Sequence, residues 1–284
     1  MMVYLRAKTV KGEKYLYLVK SVWDSKKNMS RQETIKYLGK ASDITKDDIP
    51  ADYRNDDKII SYLSSIDTVS IAEKEELLTK LKNQLFDLLI KGDYDAVRQL
   101  YDNYVSNSDS ASFFEKILTP VMYRIGELWA NGKLGIADEH VASNIANSLV
   151  KMINTKYTDT PTKKKVLICV PEGEEHNLGA NILEAHLTNI GHQVFNLTPS
   201  IPHESVVKFI ESSKPHVVFI SITHEDSIKP AQRLAKKIAA MTKIPIYVGG
   251  QGIKDDTIKF EDAQVIRNLS LKDIGKLLNS KNRI

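Results

Sequence analysis

The second half of the chain alternates short apolar segments with amphipathic segments, and this order restricts its fold more than any other feature. Apolar runs of strand length occupy residues 166–170, 192–197, 217–222 and 244–248. Segments with helical periodicity lie between them, at residues 180–190, 202–212 and 228–241. Strands that alternate with helices form a parallel sheet covered by helices. Residues 163–284 are therefore predicted to form a Rossmann-like, flavodoxin-like α/β domain.

Several polar and small residues of this domain follow the carboxyl ends of predicted strands, which is where open α/β folds bind their ligands. The first strand is followed by the run Glu-Glu-His-Asn-Leu-Gly at residues 174–179. This run presents His176 on a loop, two residues after Glu174. The later strand ends contribute Ser221, Thr223, Gly249 and Gly250. Taken alone, His176 is equally well interpreted as a solvated surface histidine.

Residues 70–157 are predicted to form a four-helix bundle. Apolar residues recur three and four positions apart, so that each helix buries one face. Turn residues separate four helical segments, at residues 73–91, 94–105, 111–130 and 136–156. Short connections between such helices imply that successive helices are antiparallel.

Three residues of this bundle are predicted to point toward the same end of it. Trp129 ends the third helix, a turn containing Gly132 reverses the chain, and Glu139 and His140 lie in the first turn of the fourth helix. Each also has an ordinary structural interpretation. A tryptophan at a helix end commonly packs in a core, and an adjacent Glu and His at a helix start are commonly a solvated pair.

The motif at the sheet edge resembles the cobalamin-binding fingerprint of the Asp/Glu-x-His-x-x-Gly type. The run at residues 174–179 is followed, after 41 intervening residues, by Ser221, and later by the glycine pair. In that family the histidine replaces the nucleotide base as lower axial ligand of cobalt. The resemblance thus implies cobalamin as cofactor and His176 as cobalt ligand, with Glu174 near enough to fix its tautomer.

In the same family the displaced nucleotide tail of the cofactor slots into the sheet edge past the serine and the glycine pair. The positions implied in contacts with that tail are Gly179, Ser221, Thr223, Gly249 and Gly250. Small residues are needed wherever a bulky tail must press against backbone. Thr223 stands where the fingerprint often has an apolar residue.

The helical segment resembles the cap of cobalamin-dependent photoreceptors of the CarH/LitR type. Nine residues separate Trp129 from the Glu139–His140 pair, as in that cap. The resemblance implies that Trp129 covers the adenosyl group, that Glu139 accepts hydrogen bonds from ribose hydroxyls, and that His140 is a neighbouring polar contact. It favours adenosylcobalamin over methylcobalamin. The best-known relatives have a histidine directly after the cap tryptophan, whereas this chain has Ala130, which leaves His140 or water to ligate cobalt after illumination.

Residues 1–62 are predicted to form a small, basic, β-rich module. Residues 1–40 contain ten Lys and Arg against three Asp and Glu, and alternating segments at residues 3–9, 15–23 and 31–38 predict a three-stranded meander. Aromatic residues interleave with the cations, a pattern that can bind DNA phosphates and bases. A lysine-rich sheet kept soluble by charge explains the pattern equally well. The helix-turn-helix domain usual in the resembled photoreceptors is not visible here.

Composition sets broad limits on function. The chain is 42% hydrophobic and 27% charged, and its apolar runs are too short to span a bilayer, so we expect a cytoplasmic protein without a membrane partner. The single cysteine, Cys169, excludes a disulfide within the chain. The leading hypothesis is a homo-oligomeric, non-enzymatic light sensor that binds adenosylcobalamin and regulates transcription or a partner. The alternatives are a corrinoid protein carrying a methyl group for methyltransferases and a light-insensitive cobalamin sensor.

Overall fold

The chain forms two compact units, Met1–Ala142 and Ser143–Ile284. The computed structural model describes residues 2–10, 13–24, 29–41, 43–65, 71–106, 108–155, 163–253 and 255–279. The predicted turn at residues 11–12 and most of the predicted loop at residues 24–28 lie outside the described residues. The sequence predicts three domains, residues 1–62, 70–157 and 163–284. The division into two units does not test these boundaries, so they remain a prediction.

The first unit begins with a three-stranded antiparallel sheet. Strands β1 (Met2–Val10), β2 (Glu13–Asp24) and β3 (Met29–Lys40) pair in the order β1-β2-β3. One face is aliphatic, since Leu16 and Leu18 of β2 are fully buried and Leu16 packs with Ala41 and Ile44. The predicted β-rich meander is thereby confirmed.

A helix that the sequence pattern does not predict follows the sheet. Two short 3₁₀ turns, Lys46–Asp48 and Ala51–Tyr53, lead into α1 (Asp57–Ser65). This helix packs against β1 and against two helices of the bundle. It buries Ile59, Ile60 and Leu63 on one side. A helix of nine residues is marginal by itself, so this packing is what stabilises it.

The predicted helical bundle is present. Its helices are α2 (Ile71–Lys91), α3 (Tyr94–Val105), α4 (Ser110–Phe113), α5 (Thr119–Ala130) and α6 (Ile136–Thr155). A π-helical turn, Phe114–Leu118, joins α4 to α5, so residues 110–130 run as one helix. Pro120 follows this turn. Proline has no N–H to donate and its ring clashes with the carbonyl four residues earlier, which gives a physical reason for the wider turn.

The boundary between the two units falls inside α6. Its first seven residues belong with the bundle, and residues 143–155 belong with the second unit. A polar contact supports that grouping, because the Asn181 side-chain amide donates to the side-chain oxygen of Asn147 at 2.8 Å. Among the described residues, no helix is both long and apolar enough to cross a membrane.

The second unit is a five-stranded parallel sheet with helices on both faces. Its strands are β4 (Lys165–Cys169), β5 (Gln193–Leu197), β6 (Val217–Ser221), β7 (Ile246–Gly249) and β8 (Gln264–Val265). Its helices are α7 (Leu178–Asn189), α8 (His203–Ser213), α9 (Ile228–Met241) and α10 (Leu271–Asn279). The strand order β5-β4-β6-β7-β8 confirms the predicted flavodoxin-like fold. In this order the chain reverses direction across the sheet between β4 and β6, where such folds bind ligands.

Candidate functional site

The loop after β4 places Glu174 and His176 in direct contact. The Glu174 side chain is 1% exposed, and its Oε1 atom lies 2.7 Å from Nδ1 of His176. The same oxygen accepts the backbone N–H of His176 at 3.2 Å. The His176 side chain is 49% exposed. Its ring therefore reaches solvent, while its Nδ1 atom and its backbone N–H contact Glu174.

The second oxygen of Glu174 joins this loop to the loop after β6. Its Oε2 atom accepts the backbone N–H of Thr223 at 2.9 Å and that of His224 at 3.1 Å. The ring of His224 meets the ring of His176 edge to face, with their centroids 4.5 Å apart. Thr223, predicted as a cofactor contact, contributes a backbone donor here. His224 lies at this edge too, in agreement with its position in the sequence directly beyond the third predicted strand.

These hydrogen bonds determine the charge of Glu174. Burial raises the pKa of this carboxyl, but hydrogen bonds from the His176 ring and from the N–H groups of His224, Thr223 and His176 outweigh it and lower the pKa to about 2. Glu174 is therefore ionised at neutral pH. An anion beside Nδ1 favours the tautomer that carries its proton there, and this tautomer has its lone pair on Nε2, the atom a metal would bind.

Gly179 and Ser221 lie side by side at the same edge. A Cβ atom added to Gly179, the second residue of α7, would lie 3.6 Å from Oγ of Ser221. Ser221 ends β6 and pairs with Gly249 of β7. The structure thus brings three of the predicted tail-binding positions onto adjacent elements.

The protein's own packing requires glycine at positions 249 and 250. A Cβ at Gly250, whose φ is +120°, would lie 2.2 Å from the carbonyl oxygen of Ile222. A Cβ at Gly249 would lie 2.9 Å from the side chain of Ile266. The turn after β7 therefore presses against the backbone that leads to Thr223 and His224. These contacts account for both glycines without reference to a ligand.

In the first unit, a tight turn ends α5 at the predicted place. Gly132 has φ of +67°, its N–H donates to the carbonyl of Trp129 at 2.9 Å, and the N–H of Lys133 donates to the carbonyl of Leu128 at 2.8 Å. This is the Schellman arrangement, which satisfies the last carbonyls of a helix and needs a left-handed residue. The connection from α5 to α6 is therefore determined locally.

Trp129 is not a core residue. Its side chain is 40% exposed, and three other large apolar residues of α5 and α6 are also exposed: Tyr123, Ile136 and Val141. Glu139 and His140 contact each other at the start of α6, with Nδ1 of the histidine 2.6 Å from Oε2 of the glutamate. The first unit thus carries an exposed apolar surface and a polar pair on the two helices where they are predicted.

The donor set at the sheet edge fits a metal that is already held by a macrocycle. One histidine suffices as axial ligand when the ring supplies the other ligands. A buried carboxylate on the second ring nitrogen is the usual partner of a metal-binding histidine, because it orients the ring and raises its basicity. The Glu174–His176 pair has this form.

Comparison with known proteins identifies the macrocycle. Two family models, each described as "B12 binding domain", match residues 81–154 and 164–266. The trimethylamine corrinoid protein of Methanosarcina barkeri is 25% identical over 194 residues, which are 66% of this chain and 88% of that protein. The HTH-type transcriptional repressor CarH of Myxococcus xanthus is 26% identical over 161 residues, or 56% of this chain. The match covers 53% of the repressor, about half its length.

A solved structure shares the fold. The monomethylamine corrinoid protein of Methanosarcina barkeri matches with a TM-score of 0.60 at 15% identity, over 71% of this chain and 98% of that one.

The fold, the Glu174–His176 pair and the two domain matches define a corrinoid-binding protein. Its cofactor is cobalamin, as predicted. The chain is related at low identity both to methylamine corrinoid proteins and to CarH-type repressors. The predicted resemblance is confirmed at the level of cobalamin binding, and the choice between these two groups of relatives concerns what the cofactor is used for.

Proposed function

We propose that this protein is an adenosylcobalamin-binding light sensor, a homo-oligomer that regulates transcription or a partner through a change of assembly. The observation that carries the proposal is the 40% exposure of Trp129 at the end of α5. A large aromatic side chain outside the core offers a flat apolar surface for a bulky ligand. Glu139 and His140 add hydrogen-bonding groups suited to a ribose.

We assign His176 as the lower axial ligand of cobalt through Nε2, with Glu174 as the positioning residue that holds its tautomer. The contact of 2.7 Å between the two side chains supports this assignment. Gly179 and Ser221 are assigned to the nucleotide tail, because their adjacent positions leave that part of the edge without a bulky side chain. Gly249 and Gly250 shape the neighbouring turn, and Thr223 holds Glu174 through its backbone.

When bound, adenosylcobalamin supplies a cobalt–carbon bond that light breaks. Trp129, which covers the adenosyl group in the dark, is then left uncovered and exposes more apolar surface to water. The exposed surface favours a different assembly, so the ligand shifts the population between two states. Ala130 has no donor atom for cobalt, so after illumination His140 or water would supply the ligand.

The second candidate is a corrinoid protein that carries a methyl group for methyltransferases. It is favoured by the near-complete coverage of methylamine corrinoid proteins, 88% of one relative by sequence and 98% of another by structure. Against it stand the set of Trp129, Glu139 and His140, which is larger than a methyl group requires, and the N-terminal sheet, which lies outside both domain matches.

The two candidates are separated by loading the full chain in darkness with adenosylcobalamin or methylcobalamin. Absorption spectra and size-exclusion profiles are then recorded before and after green light. The sensor predicts a light-driven spectral change in the adenosyl form together with a change in oligomer size. A methyl form that persists, with no change of assembly in either form, contradicts the sensor and supports the carrier.

A matched pair of variants tests the role of the tryptophan. Trp129→Ala is expected to abolish the change of assembly while binding of cobalamin through His176 persists. Tyr123→Ala removes another aromatic side chain of α5 that is 43% exposed, and it is expected to leave the light response intact. Equal effects of the two substitutions would remove the special role of Trp129.

A further inference from the structure

The N-terminal sheet has two chemically different faces. Residues directly opposite one another in an antiparallel sheet share a face. Arg6 pairs with Tyr17 and Tyr17 with Tyr37, while Lys8 pairs with Tyr15 and Tyr15 with Lys40. We call the resulting basic and aromatic surface the outer face, formed by Arg6, Lys8, Tyr15, Tyr17, Tyr37 and Lys40. The other face carries the buried Leu16 and Leu18.

The tyrosines of the outer face form one contiguous cluster. The ring of Tyr37 lies 5.0 Å from that of Tyr17 and 6.4 Å from that of Tyr15, centroid to centroid, and it is stacked on the latter with an interplanar angle of 29°. Tyr37 is 52% exposed. The cluster therefore supports a ring that keeps much of its surface in contact with solvent.

Of the three cations on the outer face, carboxylates of the described residues neutralise Lys40 but not Arg6 or Lys8. On the outer face, the carboxylate of Glu13 lies 3.1 Å from Nζ of Lys40 and is satisfied there. Glu33 lies 3.1 Å from Lys20, with which it pairs on the other face. Arg6 donates to the neutral side-chain amide of Gln32. Within the described part of the chain, neither Arg6 nor Lys8 forms an ion pair, so the outer face keeps its positive charge.

We propose that the outer face binds single-stranded nucleic acid. Tyr37, supported by Tyr17 and Tyr15, stacks on unpaired bases, while Arg6 and Lys8 contact the phosphates. Exposed aromatic rings that alternate with cations suit an unpaired strand, because every base has a face that can stack. In a duplex those faces are already stacked inside the helix, so an aromatic surface gains little from it. The inference does not depend on the proposed light response.

The test uses the full chain, with and without cobalamin, and fluorescently labelled oligonucleotides. Anisotropy is measured with a 15-nucleotide oligo-dT strand and with a 15-base-pair duplex of mixed sequence. We expect the single strand to bind more tightly. Tyr37→Ala is expected to weaken it about tenfold, which is typical of losing one stacked base, and Tyr37→Phe to retain binding.

Salt dependence separates the role of the cations from that of the ring. Removing one cation that binds a phosphate of a single strand lowers the slope of log K against log salt by about 0.7. Lys8→Ala is therefore expected to lower the slope, whereas Tyr37→Ala lowers affinity at an unchanged slope. Lys14→Ala is the matched control, because it removes the same charge from a neighbouring strand position whose residue belongs to the other face. Thermal unfolding of each variant establishes that it is folded.

Several outcomes would overturn the proposal. Binding of the duplex at least as tightly as the single strand would contradict the choice of ligand. Binding that Tyr37→Ala leaves unchanged would show a charge effect without stacking. Absence of binding to either oligonucleotide, or association only with vesicles containing anionic lipid, would rule it out. None of these results bears on the spectral response to light, so the two proposals fail independently.

Discussion

The Oε1 atom of Glu174 lies 2.7 Å from Nδ1 of His176, and Glu174 is buried although it is ionised. The same carboxylate holds the loop after β6 through the backbone N–H groups of Thr223 and His224. One side chain thus orients the proposed cobalt ligand and closes the edge of the sheet around it.

Removal of the imidazole is expected to remove the lower axial ligand. His176→Ala should shift the visible absorption spectrum of bound cobalamin and weaken its binding by more than about tenfold, since even residues that only orient a metal ligand cost that much. His216→Ala is the control, because His216 precedes β6 and lies at the opposite edge of the sheet. An unchanged spectrum in the His176 variant would refute the assignment.

Loss of the charge of Glu174 is expected to disturb both the ligand and the loops. In Glu174→Gln one carboxylate oxygen becomes an NH₂ group, which faces N–H donors and cannot accept from them. We expect a loss of about 1–3 kcal/mol in the free energy of unfolding and cobalamin binding weaker by about 10–100-fold. Chemical denaturation and spectral titration measure the two effects. Glu175→Gln makes the same change at an exposed neighbour and should alter neither the free energy of unfolding nor cobalamin binding. Equal effects of the two substitutions would contradict the role of Glu174.

The turn after β7 predicts a contrast between two glycines. Gly250→Ala must strain a φ of +120° and also force a Cβ to within 2.2 Å of the Ile222 carbonyl oxygen, so we expect a loss of more than about 2 kcal/mol. Gly173→Ala strains a φ of +90° with no atom within 4 Å of the added Cβ, and should cost about 1 kcal/mol. Thermal unfolding of both variants distinguishes the clash from the strain. Equal losses would show that the close approach to Ile222 is unimportant.

A buried histidine far from the proposed ligand predicts a dependence of stability on pH. Burial lowers the pKa of His192 below its ordinary 6.5, and this residue is only 1% exposed. The unfolded chain therefore takes up this proton at a higher pH than the folded chain. The contribution of neutral His192 to the free energy of unfolding is fully present above about pH 6.5. It decreases as the pH drops below that value, by at most about 1.4 kcal/mol per pH unit for one proton.

Thermal unfolding of the cobalamin-free chain between pH 8 and pH 5 measures this effect. His192→Leu fills a similar volume with an apolar side chain and should reduce the loss of stability at acidic pH. It should not remove the loss completely, because burial also lowers the pKa of His203. A variant with the same pH dependence as the parent protein would exclude His192 as a source of it.

Several elements could not be read from the sequence pattern. Helices α1 and α10 have nine residues each and β8 has two, and elements this short depend on their packing against the rest of the fold. The glycine pair lies at the end of β7, as the sequence pattern predicts. Its close approach to Ile222 and Ile266 comes from elements distant in sequence, and no local pattern reports such contacts.

The sequence by itself determined most of the elements and the chemistry of single residues. The alternation of strands and helices implied a parallel sheet, helical periodicity located the bundle within one or two residues, and the run at residues 174–179 pointed to an imidazole on a loop. These features are local, because they depend on backbone preferences and on which side chains face a core.

Only the tertiary structure decided which residues meet. The strand order sets β4 beside β6, and this brings the backbone of Thr223 onto a carboxylate 49 residues earlier in the chain. It also decided that Trp129 is exposed, and that the tyrosines of the N-terminal sheet share a face with Arg6 and Lys8. Such contacts follow from how the elements pack and pair, a balance of burial and hydrogen bonding over the whole fold that no short stretch of sequence contains.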